Sequence, residues 1–438
     1  MEAEIARILR EHPELGWINA FLTEHPRGEL FLVGGAVRDA LLNRKTQDFD
    51  FVITGATTDQ IESWFGKRGT VDFVGRNFGV YKFVSSTLTI RPGKIEPIDL
   101  ALPRTETPLE GSEGGYKEFA VDARIDLPIE IDLGRRDFTV NAIAYNVRTE
   151  RLVDPFNGLR DLESKTLRAV GNAHERFKED LSRLLRAIRF SCTLSFHIEE
   201  HTWKAIIDTT PNINNQTPEG GWVVPREAVG REFLKSFLHD PVCTLVKYEA
   251  SGLHKMLFPE IDPALAQSRV EDVTGLTPRL LVALFLSATD PTDARRIGER
   301  FHFQQFPKEH RCHIDLEEVL WLIRSAHALD IVENIHAMPG SLFERLFLGP
   351  KGEDVLALIA LTNSAPKEKI AAVQSRIAHI KETFGDEIPE LLSGDDLIAA
   401  GVKPGPQFRT LKTKIRDAQF ASQISSKSEA LDYLMSLL

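Results

Sequence analysis

The hydrophobic pattern changes period several times within the first 170 residues. Glu29-Leu-Phe-Leu-Val33 is a short apolar run stopped by Gly34-Gly35, residues 36–42 have helical composition, and residues 48–53 (Asp-Phe-Asp-Phe-Val-Ile) alternate with period two. The order is strand, turn, helix, strand. Further strand-like runs at residues 70–74, 79–84, 94–101 and 141–147, separated by turn residues, predict one mixed sheet flanked by helices. From about Ala173 the strand signal fades. Residues 172–190, 226–238, 279–286 and 316–328 read as helices broken by Pro and Gly, with a polar loop at 209–221 and no internal repeat. The pattern predicts an α/β head followed by an all-helical extension.

Composition adds limits. A chain of 438 residues, 42% of them hydrophobic, can bury a full core and has the length of two to four domains. A net charge of −11 gives no sign of a nucleic-acid partner, yet residues 135–189 hold 12 Lys/Arg against 8 Asp/Glu, so basic groups are concentrated there. Cys192, Cys243 and Cys312 are odd in number and far apart, which suits neither a disulfide framework nor a zinc site with paired ligands and fits a reducing cytosol. The N-terminus is charged and amphipathic without a signal-peptide core. The longest apolar stretch, residues 280–286, is too short to cross a bilayer, so the expectation is a cytoplasmic protein with no membrane partner.

Asp48 and Asp50, spaced i, i+2 on a strand, project from one face while Phe49 and Phe51 point to the other. Two parallel carboxylates suit a pair of magnesium ions, hard cations that at a spacing of about 3.5–4 Å activate a hydroxyl and stabilise a leaving pyrophosphate. A DxD alone is equally a pair of solvated acids. Its company matters: Gly34-Gly35 opens the following helix, which would aim backbone N–H groups at a triphosphate and let it approach closely, and Arg38 either faces the phosphates or pairs with Asp39 at the surface.

Together these residues resemble the class II tRNA nucleotidyltransferases (CCA-adding enzymes) and their bacterial poly(A) polymerase relatives. The family's GGxVRD and DxD stand here as Gly34-Gly-Ala-Val-Arg-Asp39 and Asp48-Phe-Asp50, its RRDFTxNA as Arg135-Arg-Asp-Phe-Thr-Val-Asn-Ala142, its DPFxGxxDL as Asp154-Pro-Phe-Asn-Gly-Leu-Arg-Asp-Leu162, and its EDxxRxxRAxRF as Glu179-Asp-Leu-Ser-Arg-Leu-Leu-Arg-Ala-Ile-Arg-Phe190. Residues 393–406 resemble the tail of the tRNA-modifying members. A fifth motif, SRERxGxE, is only partly kept as Pro225-Arg-Glu-Ala-Val-Gly-Arg-Glu232, where a bracing role for the preceding helix is expected.

The resemblance implies a polymerase-β-like nucleotidyltransferase head (1–170), a helical neck with a base-selecting helix (171–262) and a helical body and tail that bind tRNA (263–438). It implies template-independent addition of CCA, or part of it, from CTP and ATP to a tRNA 3′ end, with two magnesium ions on Asp48 and Asp50. Gly34, Gly35, Arg38, Arg135, Arg136, Asp137 and Asn141 would handle the triphosphate and sugar. Asp180 and Arg183 would read the base, with Arg186 and Arg189 beside them on the same helix. Cytosine and adenine each present an amine donor beside a ring-nitrogen acceptor, whereas guanine and uracil reverse the order, so a carboxylate next to a guanidinium accepts C and A. Without the other motifs, Asp137 would read as a helix cap and the arginines as a solvated face.

Asp99 sits on another expected strand, either as a third acid near the metals or as a strand-edge residue. Residues 104–126, rich in Gly, read as a long structureless loop; in the family a flexible loop here accompanies addition of the terminal A. His239-Asp240 reads as a helix-end pair, and His310, Cys312 and His313 lack a second cluster that would make a metal site. Arg409, Lys412, Lys414 and Arg416 on the helix at 407–416 either hold tRNA backbone or are solvated charge. Alternatives left open are an A-adding or CC-adding partial enzyme, a bacterial poly(A) polymerase and an inactive RNA-binding module; the oligomeric state is not fixed by the sequence.

Overall fold

The computed structural model describes residues 1–46, 48–73, 80–86, 97–108, 119–271, 273–332, 334–385 and 387–438. The chain forms two compact units, Met1–Pro259 and Glu260–Leu438. The first opens on an α/β head whose strands, in chain order, are β1 (Glu29–Val33), β2 (Asp50–Thr54), β3 (Gly69–Phe73), β4 (Val80–Ser85), β5 (Ile98–Ala101), β6 (Arg104–Pro108), β7 (Phe119–Ala123), β8 (Ala144–Asn146) and β9 (Arg151–Val153). Seven of them make one sheet in the order β3-β4-β5-β2-β1-β8-β9. Only β2 and β5 pair in parallel; the other neighbours are antiparallel.

Alternation along the strands gives this sheet two covered faces. One carries Phe31, Val33, Val52 and Ala144 against Ile129, Leu133, Ala142 and Val170. The other carries Phe51 and Phe83 under an edge-to-face aromatic group: Trp17 lies 5.6 Å from Phe51 and 5.0 Å from Phe65, which lies 4.8 Å from Phe83. Phe49, 2% exposed, packs on His12. The two phenylalanines interleaved with Asp48 and Asp50 are thus anchored in the core, which fixes the side to which the carboxylates turn.

The mixed sheet and flanking helices agree with the pattern; several boundaries do not. The run at 141–147 begins as a 3-10 turn, Thr139–Asn141, before β8. The run at 94–101 enters the sheet at Ile98, and residues 94–96 lie outside the described residues, as do 74 and 79. The stretch 104–126 is not structureless: β6 and β7 pair antiparallel at its two ends, and its Gly-rich centre lies outside the described residues. Thr, Glu and Asp on these strands hide the period-two signal.

The helix expected at 172–190 is two helices, Ala173–Glu179 and Ser182–Leu194. Asp180 is the break, with φ −147° and ψ 102°, and its Oδ1 accepts the Ser182 N–H at 2.8 Å. A short acid that bonds the backbone locally competes with the helical ladder, and here it wins. The reading of the cysteines also needs correcting. Packing of Ser182–Leu194 against Pro241–Ala250 brings the Cα atoms of Cys192 and Cys243 to 5.7 Å, and the two are disulfide-bonded; Cys312 is free and buried. A pairing across 51 positions depends on helix packing that spacing does not reveal.

Among its described residues the second unit is helical throughout, including Pro278–Leu286, Leu316–Ile331 and Pro406–Phe420. Its C-terminal part is held by Leu392, Leu397, Val402, Leu411, Ile415 and Leu434 among others. Among the described residues no helix is long and apolar enough to cross a membrane.

Candidate active site

The ladder register lines up one row of side chains across three strands. Lys82 on β4 is opposite Asp99 on β5, and Asp99 is opposite Asp50 on β2. Asp48, two residues before Asp50, extends the same face beyond the strand end. Asp48 and Asp50 both line a cavity of about 450 Å³ together with Gly34, Gly35, Arg38, Arg135, Arg136, Asp137, Asn141, Asp180, Arg183, Arg186, Arg189 and Phe190. Burial, and then the negative charge of Asp48, push the Asp50 carboxyl up from its ordinary 3.8 to about 6, against the pull of Arg136. Hard oxygen donors with surplus negative charge fit a divalent cation. Asp99 is not among the lining residues: its Oδ1 accepts a hydrogen bond from Lys82 Nζ at 2.7 Å. Among the described residues no three metal-ligating side chains are gathered at one point.

The wall beside the acids is glycine and arginine. Gly34 has φ +71°, and a Cβ there would stand 2.8 Å from a terminal nitrogen of Arg136 and 3.8 Å from an Asp50 oxygen. Glycine at 34 therefore admits the guanidinium next to the acid pair as well as permitting the turn. Arg135 and Arg136 share Asp132, fully buried, at 2.8 and 3.2 Å. Arg38 is buried at 8% exposure; it donates to Asp39 at 2.9 Å and to Asn141 Oδ1 at 2.7 Å, so the surface pair and the inward-facing arginine are the same residue. Asn141 in turn donates to Asp137 Oδ1 at 3.1 Å, and Arg186 grips Asp137 Oδ2 at 2.8 and 2.5 Å. Burial alone would raise the Asp137 carboxyl, but the charge of Arg186 and the bonds from Asn141 and Arg186 outweigh it and hold it at about 2.

The break at Asp180 supplies a further part of the lining. Burial raises the Asp180 carboxyl above its ordinary range, opposed by the Ser182 hydrogen bonds and by Arg183. Arg183 donates to Glu179 at 3.0 Å and to the Arg135 carbonyl at 3.3 Å. Arg189 pairs with Glu232 at 2.5 Å and lies over the Phe190 ring at 4.0 Å, while Arg38 and Arg186 approach that ring at 5.2 and 5.3 Å. Three guanidinium groups thus converge on one aromatic side chain.

Residues 30–168 match the poly A polymerase head domain. The chain is 38% identical over 261 residues to the multifunctional CCA protein of Stenotrophomonas maltophilia, covering 56% of this chain and 59% of that protein. It is 36% identical over 262 residues to that of Xanthomonas axonopodis pv. citri, covering 56% and 58%. The matched part thus spans somewhat less than three-fifths of the length of these curated relatives. In fold the likeness extends over the whole chain. The CCA-adding enzyme of Bacillus stearothermophilus in complex with CTP superposes with a TM-score of 0.66 over 99% of this chain and 96% of its own, at 21% identity. The Thermotoga maritima CCA-adding enzyme complexed with tRNA gives 0.63 over 99% and 98%, at 20% identity.

Within the head domain the third motif is scaffold. Asp154 accepts from the Gly158 and Leu159 amides, and buried Asp161 accepts from Thr139 at 2.7 Å, tying the helix Gly158–Glu163 to the turn that presents Asn141. A Cβ at Gly158 would sit 2.3 Å from the Thr139 carbonyl oxygen. Beyond the head domain, Glu232 of the partly kept motif holds Arg189 from the helix Arg226–Phe237. Phe190, which lines the cavity, was missed as a site residue, and Lys82 was missed as the partner of Asp99. Phe190 closes the fourth motif, and Lys82 is the polar member of the alternating Tyr81-Lys82-Phe83. Asp240 caps the helix Pro241–Ala250. In the second unit, Lys412 pairs with Glu390 and Arg416 with Glu344, so two of the four tail cations are engaged internally.

Proposed function

We propose that this chain is a template-independent nucleotidyltransferase that adds C and A from CTP and ATP to the 3′ end of a tRNA, with residues 1–170 as catalytic head, 171–262 as base-selecting neck and 263–438 as the tRNA-binding body and tail. One observation carries the reading: an acid pair at the start of a strand, a glycine-lined arginine wall, and a carboxylate with a guanidinium at a helix break all line the same cavity. Its volume is in the range of small-molecule sites.

In this reading the RNA 3′-hydroxyl attacks the α-phosphorus of the nucleotide in line and pyrophosphate leaves. Magnesium held by Asp48 and Asp50 would supply activation of the hydroxyl and charge stabilisation of the leaving group. Gly34 and Gly35 let the triphosphate approach backbone N–H groups, and Arg38, Arg135 and Arg136 meet its charge. The Arg38–Asn141–Asp137–Arg186 chain holds these groups at fixed positions, so little reorganisation is needed when substrate enters. Asp180 accepts from the exocyclic amine of C or A while Arg183 donates to the adjacent ring nitrogen. A base with the reverse order leaves buried polar groups unpaired, at about 1–3 kcal/mol per group.

The test is a gel assay with labelled CTP and ATP, each alone and then together, on tRNA lacking its 3′ end. One to three added nucleotides support the proposal. A long A ladder would make the chain a poly(A) polymerase, and no product with RNA still bound would make it an inactive binding module.

A further inference from the structure

Among the described residues Lys82 is the one cation in a register row that runs Asp72 on β3, Lys82 on β4, Asp99 on β5 and Asp50 on β2. Adjacent strands are about 4.8 Å apart, so Asp99 on β5 has Lys82 on one side and Asp50 on the other at nearly equal distance. Its carboxylate is bonded to Lys82, at 2.7 Å. Arg38, Arg135, Arg136 and Arg186 are hydrogen-bonded to groups outside the row. An ammonium on a flexible four-carbon stem is a compact point charge that can withdraw without moving the strand that bears it, and both side chains retain solvent contact, 41% and 34% exposed.

We propose that Lys82 is a resident counter-ion that holds Asp99 in the metal-free protein and competes with a divalent ion for that carboxylate. When the site fills, the Asp99 carboxylate exchanges the ammonium for the ion. This rests on reading Asp48 and Asp50 as metal ligands, and it makes Lys82 a positioning residue that tunes metal affinity.

The test is direct Mn²⁺ binding by the full chain without nucleotide, followed through the electron paramagnetic resonance signal of free Mn²⁺, with thermal melts to confirm that each variant is folded. Lys82→Met should bind Mn²⁺ about threefold to fivefold more tightly than wild type, the scale expected for a partly exposed ion pair. Lys82→Arg, which keeps the charge, should stay near wild type. In an Asp99→Asn background the Lys82→Met substitution should change affinity by less than about twofold. Unchanged or weaker binding by a folded Lys82→Met protein overturns the proposal. Equal tightening in the Asp99→Asn background also overturns it, because Lys82 would then act as a bulk charge with no share in Asp99. If wild type binds no Mn²⁺, the metal reading of the acid pair fails and takes the proposal with it; the other two outcomes leave that reading intact.

Discussion

Replacing Asp50 with Asn should stabilise the metal-free protein above pH 6. Burial and the neighbouring charge of Asp48 lift its carboxyl from 3.8 to about 6 in the folded state. In the unfolded chain it ionises near its ordinary value, so between about pH 4 and pH 6 the folded state binds a proton that the unfolded state lacks. Stability from this group therefore rises as pH falls through that window, and the ionised group destabilises the fold above it. At about 1.4 kcal/mol per pH unit the cost at pH 7.5 has a ceiling of about 3 kcal/mol, reduced by the solvent contact that half-buried Asp50 retains. For a unit of this size that corresponds to roughly 4–6 °C in melting temperature. Melts of wild type and Asp50→Asn in EDTA at pH 7.5 and pH 4.5 measure it: the variant should melt higher at pH 7.5 and within about 2 °C of wild type at pH 4.5. Millimolar Mg²⁺ at pH 7.5 should raise wild type and leave the variant nearly unmoved, because only the ionised pair gains a ligand. A variant that melts at or below wild type in EDTA at pH 7.5, or a gap equal at both pH values, refutes the reasoning.

Glu232→Ala leaves Arg189 buried without its partner, a loss of about 3–5 kcal/mol that the retained Phe190 contact trims to about 2–3 kcal/mol in urea unfolding; Glu232→Gln should lose less. Gly34→Ala places a Cβ against Arg136 at a positive φ, so the nucleotide KM should rise several-fold with about 1 kcal/mol of lost stability, and an unchanged KM would count against the phosphate-wall role. Asp180→Asn and Arg183→Ala should each erode the preference for CTP and ATP over GTP and UTP in single-turnover competition, and an unaltered preference would remove these residues from base choice.

The acid pair was legible because the period-two run Asp48-Phe-Asp-Phe51 fixes which side chains share a face, and the core position of Phe49 and Phe51 enforces it. The head's alternation of strand and helix was legible for the same reason. Asp99 shows the limit. Its place on a strand could be read, but its partner could not, since Lys82 lies 17 residues earlier and meets it only through the register of β4 with β5. The Cys192–Cys243 bond and the Arg189–Glu232 pair were hidden alike, because both depend on how the helix Ser182–Leu194 packs on later helices. Strands β6 and β7 escaped because their polar residues give no apolar alternation to detect.

The break at Asp180 bears on how one short segment could choose a base. On an unbroken helix Asp180 and Arg183 would stand three residues apart on one face, the spacing at which a carboxylate and a guanidinium pair with each other. A pair satisfied internally presents little to a ligand. With the helix broken, each is held by a different neighbour: the Asp180 carboxylate takes the Ser182 amide and the Arg183 guanidinium takes Glu179. Both still line the cavity that holds the acid pair. Each is fixed in place by bonds to other neighbours, Arg183 donating also to the Arg176 and Arg135 carbonyls, without being consumed by its counterpart, which is the condition for offering an acceptor and a donor side by side to an incoming base. A local competition between an acidic side chain and the helical ladder thereby produces the separation that the proposed selection requires.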